Sequence, residues 1–319
     1  MRIVFLLGNG FDINLGINTG YQSFYDYYLA QPSGDEAVAR LKKELEEKRY
    51  TTWADLEIGL GRYTAAVDSV EQMRTVYYDL SDRLQEFLKK KMETFVITEK
   101  MTSAIVKGFS YPQSYLPQGM NDAIVSYKRG HYPDIVDIIS FNYTDTVERV
   151  LQSKLATGYP VQLSPQLSLT SINHIHMRLE DDDVIMGVND DSQILSKELL
   201  NDDMRALLVK PYINQQLQNL IDSRCAELIR NAELICIFGV SLGETDLYWW
   251  RLLGQRFTDS NLRIVYYTYD DTNITRNSER IMSYQKSREL LFKRMGIIKP
   301  SSGQVNRVYI GHKTAIFKY

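Results

Sequence analysis

Three separated segments hold residue types that suit a nucleotide: Gly8-Asn9-Gly10-Phe11-Asp12, Phe141-Asn142-Tyr143-Thr144, and Gly239-Val240-Ser241-Leu242-Gly243-Glu244-Thr245-Asp246. Gly8 and Gly10 give a turn backbone freedom and let a ligand come close, and amides in such a turn can face a phosphate. Asn142 offers donors and an acceptor at once, which suits a water or a ribose hydroxyl. Ser241, set among small residues, suits ribose or phosphate, while Thr245 or Asp246 can cap the helix that follows. Between the last two segments lies Asn173-His174-Ile175-His176. Strand alternation puts His174 and His176 on one face, and histidine exchanges protons near neutral pH. Each feature also has a plainer meaning. These are a strand–turn–helix without a ligand, an asparagine satisfying loop backbone, a capped turn, and one structural histidine beside one solvated one.

The elements needed to position these residues are legible around them. Ile3 to Leu7, Ile135 to Phe141, Leu234 to Val240 and Arg263 to Tyr269 are short apolar runs bounded by polar turns, as in strands buried on both faces. Helical patterns follow at Thr144 to Lys154 and Thr245 to Arg256. The repeated strand–loop–helix order predicts an α/β fold with a doubly wound, mostly parallel, Rossmann-like sheet whose ligand sits at the strands' carboxyl ends. Between the first two strands the chain turns helical at Glu36 to Lys48 and Val67 to Glu99, then breaks at Ser110 to Pro117. We therefore expect one domain over residues 1–319 with a helical insertion, a cap or interface, at residues 20–130. Val184-Ile185-Met186 is strand-like, and Val305 to Tyr319 predicts two strands around Gly311-His312.

Composition narrows the function classes. A net charge of −3 over 319 residues gives no electrostatic reason to expect general nucleic-acid or membrane binding. Cys225 and Cys236 are too few for a zinc ribbon and are expected as buried thiols. The N-terminal apolar run is too short for a membrane span and lacks a signal-peptide layout, so a soluble cytoplasmic protein is expected. Tyr25, Tyr27 and Tyr28 are expected half-buried with hydroxyls at the surface. Glu180-Asp181-Asp182-Asp183 is expected to be a solvated loop, with no metal, and His131 and His312 surface or turn residues.

Joined by Thr52-Trp53-Ala54-Asp55-Leu56-Glu57 and Gly187-Val188-Asn189-Asp190, the segments resemble, in order and over residues 1 to about 250, the AbiH family of bacterial phage abortive-infection proteins. That family is similar to a divergent sirtuin-type NAD-binding fold. The resemblance implies Asn142 and His176 as the catalytic pair. Because strand carboxyl ends converge in a parallel sheet, Gly8, Asn9, Gly10, Asp12, Ser241 and Asp246 are expected as the nucleotide-binding set. The resemblance also implies NAD as the substrate, cleaved to nicotinamide and ADP-ribose, with a phage-derived trigger and a homo-oligomer keeping the enzyme in check. Met177 departs from the usual glycine after the histidine, and Gly8 to Asp12 departs from the sirtuin Gly-Ala-Gly-type loop. Missing zinc cysteines argue against a deacylase. The alternatives are a non-catalytic nucleotide-sensing scaffold and a metal-dependent nuclease built on Asp190 and Asp191.

Overall fold

The computed structural model describes residues 1–128, 134–156, 158–181, 184–269 and 276–319. Strand β1 (Arg2–Leu7) leads into helices α1 (Gly10–Asn14), α2 (Tyr21–Leu29), α3 (Glu36–Lys48), α4 (Leu56–Tyr63), α5 (Val70–Glu93), α6 (Glu99–Ser110) and α7 (Gln118–Lys128). Then come β2 (Asp134–Ser140), α8 (Thr146–Leu155), β3 (Val161–Ser164) and β4 (Leu167–His174). Helices α9 (Asp202–Leu208), α10 (Lys210–Gln216) and α11 (Ile221–Asn231) precede β5 (Leu234–Phe238). The chain closes with α12 (Leu247–Thr258), β6 (Arg263–Thr268), α13 (Asn277–Met295), α14 (Ser302–Val305) and β7 (Val308–His312).

The strands form one sheet in the order β3-β4-β2-β1-β5-β6-β7. Only β3 runs antiparallel to its neighbour; the other pairings are parallel. From central β1 the chain builds outward through β2 and β4, then returns to the other side for β5, β6 and β7. Strand order therefore reverses between β1 and β5, where an open α/β sheet leaves a crevice at its carboxyl edge.

Both faces are covered, which is why the strands are continuous apolar runs. Ile3, Phe5 and Leu7 pack with Ile105 and Phe109 of α6, Leu151 of α8 and Phe317. Val4 and Leu6 pack on the opposite face with Ile229 of α11, Trp250 and Leu253 of α12 and Leu291 of α13. A third apolar cluster joins Phe24, Leu41, Leu60, Leu80 and Leu84 of α2 to α5 with Val188 and Met204.

Several local expectations need correction. The tract Val67 to Glu99 holds one helix, α5, which ends at Glu93, and α6 begins only at Glu99. Ser69 caps α5 by accepting from the Gln72 amide, and Thr98 starts α6 by accepting from the Met101 amide. Val184 to Met186 forms no strand; Val188 instead makes an isolated bridge to Val209. The C-terminus forms β7 alone. Lys313 and Phe317 take left-handed φ of 47° and 60°, turning the chain so that Phe317 enters the core. Tyr25 and Tyr28 are wholly buried, because their hydroxyls reach internal acceptors, the Trp53 carbonyl at 2.9 Å and Asp79 at 2.6 Å. Cys225 and Cys236 are buried free thiols. Glu180 is exposed and Asp181 accepts from the Arg178 amide, whereas Asp182, Asp183 and His131 lie outside the described residues. His312 ends β7 half-buried, its Nδ1 3.3 Å from the Thr268 hydroxyl. No helix among the described residues is long and apolar enough to cross a membrane.

The crossing of the β1–α1 turn over the end of β5 leaves no room for side chains. Gly239 has φ 70°, and a Cβ there would stand 2.6 Å from the Phe11 nitrogen. Gly239→Ala is expected to lose at least about 2 kcal/mol of stability, from a left-handed conformation compounded by a backbone clash. Urea unfolding checks this, and a loss under about 0.5 kcal/mol would contradict the packing.

Candidate functional site

A cavity of about 540 Å³ opens at the strands' carboxyl edge where the order reverses. Its wall takes Gly8, Asn9 and Asp12 from the first turn, Asn142 and Thr144 from the loop after β2, and His176 from beyond β4. The loop after β5 adds Ser241 to Asp246. Helices close the remaining side: Asp55 and Glu57 at the start of α4, Leu84 and Leu88 of α5, and Arg294 of α13.

Gly10 is not among the lining residues. Its amide donates to the Gly239 carbonyl at 2.9 Å, and a Cβ on it would lie 2.5 Å from the Gly239 Cα. The Gly8 amide donates to the Phe238 carbonyl at 3.0 Å and the Phe11 amide to the Gly8 carbonyl at 2.8 Å. The turn expected to offer amides to a phosphate therefore spends these three internally. The glycines serve close approach of backbone to backbone, and Gly10 sits below the cavity.

Around the histidines, local structure overrides the strand pattern. β4 ends at His174, so alternation no longer governs His176. The His174 Nδ1–H donates to the Asn142 carbonyl at 2.9 Å, and Nε2 lies 2.8 Å from Glu148 of α8. Burial disfavours a charged His174, but Glu148 and the Asn142 carbonyl outweigh it and raise its pKa. His174 is thus spent on holding the Asn142 backbone in place. His176 differs: Nε2 is 3.2 Å from Asp246 Oδ1, while Nδ1 is buried without a partner. Phe141, stacked on Trp250, and Tyr143 flank its ring at centroid distances of 6.1 and 6.0 Å.

Asp246 stands at the N-cap position of α12 yet makes no capping bond. Its Oδ1 instead accepts from Lys210 Nζ at 2.8 Å and meets His176. Lys210 also donates to Glu57 Oε2 at 2.9 Å, and the Tyr143 hydroxyl and the Gly187 amide, each at 3.3 Å, reach the other Glu57 oxygen. Burial alone would raise the Asp246 carboxyl. The Lys210 ammonium and His176 outweigh it and hold it below the usual range, so Asp246 remains ionised. An ionised Asp246 fixes the proton of a neutral His176 on Nε2 and leaves the Nδ1 lone pair available as a base.

The profile of the family described as bacteriophage abortive infection AbiH matches residues 4–268. The chain belongs to the AbiH family. No curated protein matches it. Membership assigns this AbiH-family chain to anti-phage abortive infection, and the geometry indicates how its segments cooperate. Met177 follows His176 with φ 63°, a left-handed conformation that favours glycine. Asp190 caps a short turn through the Ser192 amide and Asp191 pairs with Arg205 at 2.9 Å, so both carboxylates have structural partners. Among the described residues no group of three or more His, Cys, Asp and Glu is arranged to hold a metal.

Sequence reasoning missed Lys210, Glu57 and Thr144 as functional neighbours. Lys210 follows the apolar Leu207-Leu208-Val209 and precedes Pro211, and a lone lysine there signals only that its charge needs a buried partner. Thr144 donates to Asp12 Oδ2 at 2.6 Å, while Thr19 bonds Asn9 and approaches the same Asp12 oxygen at 3.5 Å. Asp12 Oδ1 and Asn142 Oδ1 are buried without partners. Burial raises the Asp12 carboxyl to about 6 against the hydrogen bonds of Thr144, Thr146, Asn142 and Thr19.

Two measurements follow from these charges. Lys210→Met would leave Glu57 and Asp246 buried without their counter-ion, and is expected to lose about 3–5 kcal/mol in chemical unfolding. A loss below about 1 kcal/mol would contradict the network. Asp12 holds its proton in the fold to about pH 6, against 3.8 in an open chain, so ionising it costs native stability as pH rises through that window. Asp12→Asn, neutral throughout, is expected to exceed the wild type by up to about 3 kcal/mol near pH 7.5 and to match it below about pH 4. Thermal melts at both pH values check the sign.

Proposed function

We propose that this AbiH-family chain defends against phage by hydrolysing NAD+ to nicotinamide and ADP-ribose, on a doubly wound, sirtuin-like nucleotide-binding sheet. The parallel strands β4-β2-β1-β5-β6-β7 support that fold, since their order matches the 3-2-1-4-5-6 order of dinucleotide-binding sheets. One observation carries the reading. The His176 Nδ1 and the Asn142 Oδ1 are both buried and unpartnered in residues lining one cavity, and Asp246 orients the histidine. In this scheme Asn142 holds the attacking water and the His176 Nδ1 takes its proton as oxygen bonds to the ribose carbon. The electron pair of the broken C–N bond leaves with nicotinamide, which departs neutral. Ser241, Asn9 and the Arg294 guanidinium offer contacts for ribose and phosphates at the mouth. Of the helical insertion, the part that supplies Tyr21, Asp55, Glu57, Leu84 and Leu88 to the wall would be the cap over this site. A homo-oligomer released by a phage-derived trigger would keep it silent.

The test is nicotinamide release from NAD+ by purified protein, with and without phage lysate, beside phage plating on expressing cells. His176→Ala and Asn142→Ala are expected to lose on the order of 100- to 10,000-fold in turnover while remaining folded by circular dichroism, and to lose protection. Full protection by both variants would overturn the enzymatic reading in favour of a nucleotide-sensing scaffold.

A further inference from the structure

Of the carboxylates lining the cavity, Asp12 alone has neither a charged partner nor a backbone amide among the described residues; its neighbours are hydroxyls and the Asn142 side chain. Glu57 and Asp246 share the Lys210 ammonium, Glu244 pairs with Arg294 at 2.8 Å, and Asp55 accepts from the Glu57 and Ile58 amides. Asp12 receives only hydroxyls on Oδ2, and its Oδ1 is buried and unpartnered. It is 1% exposed, at the floor between the glycine turn and Asn142. An ionised carboxylate so placed is an uncompensated buried charge, which a protein relieves by protonation or by an incoming cation.

We propose that Asp12 is the carboxylate that faces a positive charge on the ligand, so that the cavity selects a pyridinium-bearing nucleotide over its neutral reduced form. This rests on the NAD+ reading above and adds to it the residue that senses the charge of the ring. Protonation and cation binding then compete for one group: a bound pyridinium favours the ionised carboxylate, and Asp12 gives its proton to solvent as the ligand enters. The other charged groups on the cavity wall are His176, Asp55, Glu57, Glu244, Asp246 and Arg294. The Tyr21 phenol is pushed well above its usual range, by burial first, and stays neutral. The comparison with Asp12→Asn isolates the Asp12 contribution from theirs.

The probes are carba-NAD+, whose carbocyclic ring resists hydrolysis, NADH, and the fragments 1-methylnicotinamide and nicotinamide. Calorimetry on wild-type protein in buffers of different ionisation enthalpy is expected to show close to one proton released per carba-NAD+ near pH 5 and none near pH 8. Affinity should rise up to about tenfold per pH unit below pH 6 and level off above pH 7. NADH should bind at least about tenfold more weakly near pH 7.5. Asp12→Asn should lose at least about tenfold for carba-NAD+, keep its NADH affinity and lose the proton release. Equal binding of the two dinucleotides, or an unchanged proton count in Asp12→Asn, overturns the assignment. Should that variant fail to fold, equal binding of carba-NAD+ and NADH by the wild type still overturns it. If neither dinucleotide binds but 1-methylnicotinamide binds over nicotinamide, charge recognition stands and the NAD+ reading falls. No binding by any probe overturns both.

Discussion

Everything at the carboxyl edge depends on how closely the β1–α1 turn approaches the end of β5. Gly8, Gly10 and Gly239 meet there backbone to backbone, and a Cβ on any of the three would lie 2.5–2.6 Å from a main-chain atom of the facing loop. Two amide bonds, Gly8 to Phe238 and Gly10 to Gly239, lock the crossing. With those loops joined, Asp12 sits at the floor of the cavity and Ser241 to Asp246 form its rim. The glycines shape the site from beneath, by what they leave out.

A second constraint is charge. Lys210 is buried between Glu57 from the helical layer and Asp246 from the sheet edge. Desolvating three ions costs several kcal/mol for each, so the arrangement is kept only with close geometry and the extra bonds from Tyr143 and Gly187. Those bonds tie α4 to the aspartate that orients His176. Displacing the helical layer would therefore disturb the histidine directly, without any need for a longer path. Asp12 has no such counter-ion, and its raised pKa follows from that difference.

The two histidines show how far residue type can lead. Their motif and their place near the sheet edge were legible. Their division of labour was not, because it depends on Glu148, 26 residues before His174, and on Asp246, 70 residues after His176. Asp246 itself looked like a helix cap, and it occupies that position without capping. Turn chemistry reports where a polar side chain stands in the chain, whereas a buried cation across the fold decides where its oxygen points.

The sequence by itself determined the central strands, because parallel strands covered on both faces must be continuous apolar runs such as Ile3 to Leu7 and Leu234 to Phe238. It also determined that the loops after β1, β2 and β5 carry small and polar residues, which a sheet edge requires. It did not reveal the β3–β4 hairpin, whose short alternating runs give weak signals, nor the single C-terminal strand turned aside by left-handed Lys313 and Phe317. Tertiary structure alone decided the rest. Strand order brought residues 8, 142, 176 and 241 to one cavity, and it decided which buried carboxylates face a cation and which one does not. Periodicity along a chain records burial on its own element, but the charge facing a buried group comes from elements far away in sequence.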